Sequence, residues 1–519
     1  MDAGSSPAGE DLHSVDHGEV VETVETLIAR AAPGHLYVLW DLWTALLRAA
    51  ADREHAERAL DALAAAPPWL WSELDPARRA TWYEAPTVAT APEPRGLWRL
   101  RRKPPMPDTS LAVLAAACVH DGHERERAVR HPAMRHDPRL LPILVIRAAD
   151  WVPEVRSAAA DVLEQALATP TVTVLETVAP VAVRLGGRRR GEAVVRMVRD
   201  AITRACGEVL TALRSSADIP TRRFAYRACL DGGRLGEADL VHAAQHEEDV
   251  TCRTLCAEAV AGLDRPELLR VLLANRAAQV RATALTALVR LGAPEHGERM
   301  LGDGSSVVRL TAQWAVRRAG GDPAEFYRRL LNERPGHGLR HLVAGLGECG
   351  TPADAPTVLP YLAGENPRVR AEAVRAASRL GAQVDLAAML VDPAPIVVRR
   401  AAEALRTAPP PEDRLWPLFD SGRPPHVRRA AYRLLAGTHV WNRLKADLIL
   451  LAGPDESLRE RARADVRNWL DRQAATAYVG PPEPLRRELA VLIERAYDVL
   501  GERTVRILKW HLRADQQDR

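Results

Sequence analysis

The chain has 519 residues, 27% of them charged and 47% hydrophobic, and its 71 basic and 68 acidic side chains leave a formal net charge of +3. That near cancellation excludes the uniformly basic surface that draws a whole protein to nucleic acid or an anionic membrane, so any such attraction must come from local patches. Six cysteines without a paired metal knuckle exclude a disulfide scaffold, and three phenylalanines and eight tyrosines set against long Ala, Leu and Val runs favour helix over sheet.

Residues 1–18 are acidic, carry Gly, Ser, Asp and His without apolar periodicity, and predict a disordered tail. They lack the basic and apolar regions of a secretory signal, and no apolar run approaches the ~18 residues of a membrane span, so a soluble cytoplasmic protein is expected. From Val20 to Ala66 the pattern turns helical, with Leu36, Trp40, Trp43 and Leu47 spaced for one helix face. Six of the twelve tryptophans precede residue 100: Trp40, Trp43, Trp69, Trp71, Trp82 and Trp98. Residues 19–107 therefore read as a Trp-rich helical N-terminal cap whose aromatics close the end of a core, or else as an aromatic binding surface. Proline-rich stretches at 85–95 and 103–107 predict a loop joining this cap to the repeats.

Between residues 108 and 500 a pattern recurs: a branched apolar residue, an arginine, and a small residue three positions later. The clearest copies are Val155-Arg156 with Ala159, Val280-Arg281 with Ala284, Val308-Arg309 with Ala312, Val369-Arg370 with Ala373, Val398-Arg399 with Ala402 and Val427-Arg428 with Ala431. Weaker copies fall in register at Arg125, Arg190, Arg222, Arg253, Arg340, Arg459 and Arg487, and neighbouring copies are 28 to 34 residues apart. Arg190 and Arg222 have poor preceding residues, Arg340 is followed by Val343, and Cys256 replaces Ala, so distortion is expected there. Before each arginine lies a turn with helix-start chemistry, such as Asp150 to Pro153, Asn366-Pro367 and Asp392 to Pro395, and before that a short apolar helix. Each unit is helix, turn, helix, and a unit this small must stack on its neighbours to bury an apolar face. Residues 501–519 read as a C-terminal capping helix and tail.

With a turn Asp or Asn, then Val-Arg opening the second helix, then Ala, the pattern resembles the armadillo-like HEAT family, most closely its short form known from bilin lyases and many bacterial proteins. The resemblance implies an all-α fold, a right-handed α-solenoid of about twelve or thirteen two-helix repeats. It also implies a ladder of turn Asp and helix Arg joining adjacent repeats, which would set Asp150, Asp303 and Asp392 beside Arg156, Arg281, Arg309, Arg370, Arg399 and Arg428.

Functional signals are sparser. Ladder pairing would neutralise the register arginines, so they are read as structure rather than as a phosphate stripe. The non-core positions one, five and eight residues after each of them should line the concave face of a superhelix; ten are basic and seven acidic, Glu348 among the acids. Arg375, Arg400, Arg429 and Arg433 make a basic segment suited to an acidic peptide. The run Gly186-Gly187-Arg188-Arg189-Arg190 is either a solvated loop or an anion site. Cys252 and Cys256 lie one helical turn apart and read as core thiols, and the histidines have no spacing that completes a metal site. Phosphate-loop, nucleophile-elbow, zinc-protease and dinucleotide fingerprints are all missing, so neither catalytic residues nor a metal or cofactor is expected. The expected function is a non-enzymatic scaffold or adaptor binding a protein or peptide on the concave surface, with oligomeric state left open. The alternative is a nucleic-acid-binding protein similar to the HEAT-like alkylpurine DNA glycosylases, in which Trp151 beside Asp150, or Trp314 beside Arg317 and Arg318, would serve. A chromophore lyase is a third reading, resting on the repeat alone.

Overall fold

The computed structural model describes residues 17–80, 108–333, 338–453, 456–474 and 479–513, and all regular structure among them is helical. The chain divides into two units, residues 1–268 and 269–519. Nearly all of the predicted tail, Trp82, Trp98 and both proline-rich stretches lie outside the described residues.

In the first unit the helix pairs follow the register. Leu141–Arg147 leads to Pro153–Ala168, Val172–Leu185 to Gly191–Arg204, Gly207–Arg214 to Ile219–Asp231, and Glu237–His246 to Val250–Ala261. Turn chemistry starts the second helices: Asp218 accepts from the Thr221 amide at 3.1 Å and Asp249 from the Cys252 amide at 3.0 Å. Successive second helices pack side by side, as do the first helices on the other layer, which is the layered arrangement of an α-solenoid. Arg190 precedes its helix rather than lying in it, a consequence of the glycine turn.

Four helices, His17–Arg30, Leu36–Ala49, Arg53–Ala64 and Pro68–Ala80, precede the repeats and pack on the first of them. The expected apolar stripe is rotated. Leu39, Leu42, Trp43 and Leu46 are the buried positions, whereas Leu36 is 58% and Trp40 36% exposed. Trp43 wins the interior because its indole N–H reaches the Leu74 carbonyl at 2.6 Å, leaving no buried polar atom unmatched. Arg139 adds an ionic tie, reaching Glu57 at 2.6 Å and Asp61 at 2.7 Å.

The second unit continues the pairing with His296–Met300 and Ser306–Arg318, Pro323–Asn332 and Leu339–Cys349, Glu412–Phe419 and Pro425–Thr438, and Val440–Leu451 and Glu456–Arg472. Before Pro367–Arg379 the short apolar first helix of the repeat is broken into pieces, because Pro356 and Pro360 each remove a backbone donor. The small residue of the pattern is buried in both units, at Ala159, Cys256, Ala284, Ala312, Ala373 and Ala431, where a larger side chain would hold neighbouring helices apart. No described helix is long and apolar enough to cross a membrane.

Helices Leu339–Cys349 and Pro367–Arg379 approach closely. A Cβ on Gly347 would stand 2.5 Å from Ala376 Cβ, inside van der Waals contact, and the neighbour is backbone-proximal and cannot swing away. Gly347→Ala is expected to destabilise the chain by about 1–3 kcal/mol through overpacking, read as a lower urea midpoint at unchanged cooperativity.

Candidate functional site

Arginine chemistry divides into two groups, one committed to the repeats and one left free. The committed group uses each guanidinium twice. Arg281 Nη1 donates to the carbonyls of Asn275 at 2.7 Å and Arg276 at 3.2 Å, in the turn before its own helix. Its Nε and Nη2 donate to both oxygens of Asp303, at 2.8 and 2.7 Å, in the turn of the next repeat. Asp303 then caps the Ser305 amide at 2.8 Å, and its carbonyl accepts from Arg309 at 2.9 Å, so one residue links two arginines. Arg370 repeats the device on Gly364, Glu365 and Asp392, and Arg125 on Val119, His120 and Asp150. Arg156 closes on the Asp150 carbonyl at 2.7 Å. Burial alone would raise the carboxyls of Asp150, Asp303 and Asp392, but hydrogen bonds from Arg125, Arg281 and Arg370 hold all three below the ordinary value.

Two links differ in their acid. Arg309 pairs with Glu348 at 3.0 and 2.5 Å, so this glutamate is buried in the repeat interface and is not on the open face. Arg222 pairs with Glu247 at 3.1 Å, a turn glutamate where the pattern has Asp. Arg399 and Arg428 stand outside the ladder. Arg399 is half exposed with its nearest acid, Glu403 of its own helix, at 4.0 Å, and Arg428 donates to the Phe419 carbonyl at 3.3 Å.

Arginines without an acid partner occur along the chain, and four of them line one cavity. A cavity of about 190 Å³ opens among the helices Glu412–Phe419, Pro425–Thr438, Val440–Leu451 and Glu456–Arg472. Phe419, Leu450 and Leu458 form an apolar wall, and Arg428, Arg429, Arg433 and Arg461 surround it. None of these four arginines has an ion-pair partner among the described residues. Their neighbours do: Arg400 with Glu403 at 2.6 Å, Arg375 with Glu372 at 3.2 Å, Arg443 with Asp465 at 3.2 Å and Arg459 with Glu456 at 2.9 Å. The Phe419 and Tyr432 rings stack at 6.3 Å.

Behind the cavity, the Tyr432 hydroxyl lies 2.6 Å from Asp447 and 2.8 Å from Asp465. Asp447 is only 1% exposed, and burial pushes its carboxyl up to about 7, with the Asp465 charge adding to the rise against the Tyr432 hydrogen bond and the Arg443 and Arg461 charges.

No protein-family model matches the sequence, and no curated protein matches it. Among solved structures the chain is similar to importin beta, at 11% identity over 96% of this chain and 68% of that one, with a TM-score of 0.33. It is also similar to the karyopherin Kap121p bound to the extreme C-terminus of the phosphatase Cdc14p, at 11% identity over 95% of this chain and 51% of that one, with a TM-score of 0.24. Likeness at that level does not bear on chemistry, which is carried by the side chains themselves.

Of the basic segment read from the sequence, the fold brings Arg429 and Arg433 together at the cavity, while Arg375 and Arg400 are held by acids of their own helices. Sequence reasoning did not find Tyr432, Asp447, Asp465 and Arg461, which come from three helices and share no spacing. Arg188, Arg189 and Arg190 form an exposed turn in which Arg188 donates to the Ser72 carbonyl at 3.2 Å. Trp151 lies under the Arg125 guanidinium at 4.3 Å and is 43% exposed, and Asp150 is buried against Arg125 and Arg147. Cys252 and Cys256 are buried and their thiols are pushed up to about 12, mainly by burial. No cluster of metal-ligating residues occurs among the described residues.

One apolar feature remains. On Ser306–Arg318, Val307, Leu310 and Trp314 share a face and are 47%, 52% and 40% exposed. Leu310 and Trp314 fall one and five positions after Arg309, where half of the other repeats put a charge.

Asp150→Asn removes the charge between two buried guanidiniums, Arg125 and Arg147, and is expected to cost about 3–5 kcal/mol, seen in the thermal unfolding of the purified chain. Asp447 has the opposite effect on stability from the ladder acids. Its folded value lies above the ordinary one, so its contribution is fully present below about pH 4 and is lost as pH rises to about 7. Ladder acids stay ionised throughout that window. Asp447→Asn is expected to reduce the fall in urea midpoint that wild type shows between pH 5.5 and pH 7.5.

Proposed function

We propose that the protein is a non-enzymatic scaffold that holds a protein or peptide partner along the exposed face of the second helices of residues 269–519. The observation that carries this reading is the stripe of Val307, Leu310 and Trp314, three large apolar side chains at helical spacing left in water. Burying one such side chain fully contributes roughly 1.5–3 kcal/mol, and a tryptophan among smaller apolar neighbours is the usual composition of an interface anchor. Exposed Arg317, Arg318 and Arg379 on the Ser306–Arg318 and Pro367–Arg379 helices suit a partner that carries acids beside its apolar anchor. The buried and fully paired ladder leaves few groups for catalysis, and the near-neutral chain gives nucleic acid no continuous basic track.

The test is recovery of the partner from the protein's own cells by the tagged chain, comparing wild type with Leu310→Glu and Trp314→Ala after nuclease treatment. A protein recovered with wild type and reduced at least tenfold with either variant, about 1.4 kcal/mol, is the expected result. Recovery indifferent to both variants, or abolished by nuclease, overturns the reading.

A further inference from the structure

We propose that the cavity bounded by Phe419, Arg428, Arg429, Tyr432, Arg433 and Arg461 is an anchor pocket for a phosphorylated aromatic side chain, a phosphotyrosine of the partner. The inference rests on the scaffold reading for the carrier of that group, and on the cavity alone for its chemistry.

Charge is the first argument. On two of the helices that bound the cavity, Arg443, Arg459 and Arg463 have carboxylate partners, whereas the four arginines that line it have none among the described residues. Four guanidiniums lining one small cavity without a carboxylate at ion-pair distance make a local positive potential that favours an anion. The nearest acids cannot take that role. Asp465 is bound by Arg443 and Tyr432, and Asp447 is buried against the Tyr432 hydroxyl. A dianion with three acceptor oxygens matches several planar guanidinium forks better than a single carboxylate does.

Shape is the second. A volume of about 190 Å³ is below the roughly 300–1,000 Å³ of cofactor and drug sites, so the cavity suits one side chain rather than a whole small molecule. Its wall is Phe419, Leu450 and Leu458, with Phe419 stacked on Tyr432. An aromatic stem would lie along that wall while the phosphate at its far end reaches the arginines. Glutamate and phosphoserine have stems too short or too polar to use the wall, and a nucleic-acid phosphate has no stem to insert.

The experiment uses the full chain and four fluorescein-labelled peptides of one sequence, carrying phosphotyrosine, tyrosine, phosphoserine or glutamate at the same position, read by fluorescence polarisation. The phosphotyrosine peptide is expected to bind at least tenfold more tightly than each of the other three. Arg429→Ala with Arg433→Ala, two exposed positions whose loss circular dichroism should not register, is expected to weaken that binding at least tenfold. Arg375→Ala with Arg400→Ala is expected to leave it unchanged. Equal binding of the phosphoserine or glutamate peptide, indifference to the Arg429 and Arg433 changes, or no binding at all overturns the inference. If no phosphopeptide binds while Leu310 and Trp314 still govern partner recovery, this inference fails alone. If phosphopeptide binding survives while recovery ignores those two residues, the scaffold reading fails alone.

Discussion

A guanidinium that serves two repeats at once is the interaction on which the stacked helices depend. Where the first helix of a repeat ends, the chain reverses and its turn carbonyls lose their backbone partners. The arginine opening the second helix reaches back to them, as Arg281 does to Asn275 and Arg276 and Arg253 does to Glu247 and Glu248. Because the fork has donors on two edges, the other edge remains for a carboxylate in the next turn. A lysine could not do both: its donors radiate from a single point and match neither edge. Here lies a physical reason for an arginine at this register position.

The same device explains where the chain can spare charge. An arginine bound on both edges is electrostatically spent, and burial of the Arg125–Asp150 pair at zero exposure is tolerable because every polar edge of the pair is matched. At Arg399 and Arg428 the link lapses. The turn that would serve Arg399, Ser421-Gly422-Arg423-Pro424-Pro425, offers no acid after Asp420, and the Arg428 guanidinium lies against the Phe419 carbonyl and ring. With that pairing gone, Arg428 joins Arg429, Arg433 and Arg461 around an apolar wall. At this cavity, unpaired arginines coincide with a lapse in the structural use of arginine.

How much of this could be read in the chain depends on distance along it. Turn acids 22 to 25 residues beyond their arginine recur with the repeat, so Asp150, Asp303 and Asp392 were legible as partners. Glu348 was not, because it serves Arg309 from 39 residues away and from inside a helix, at a position the periodicity assigns to the open face. Trp40 and Trp43 were likewise inseparable by spacing alone. A helical period locates a stripe only to within about one residue, and the carbonyl of Leu74 decided which indole went inside.

What the sequence by itself determined is the all-helical repeat: the pairing of helices, the buried small residue, and the arginine with its turn acid, since each depends on contacts within a repeat or to the next one. Only the tertiary structure decided which charges were left over. Whether an arginine is spent or free depends on acids brought to it by three or four helices, and the Tyr432, Asp447 and Asp465 centre behind the cavity has no counterpart in the repeat pattern. Periodicity encodes what every repeat shares, and a binding site is made of what one place does not share with the rest.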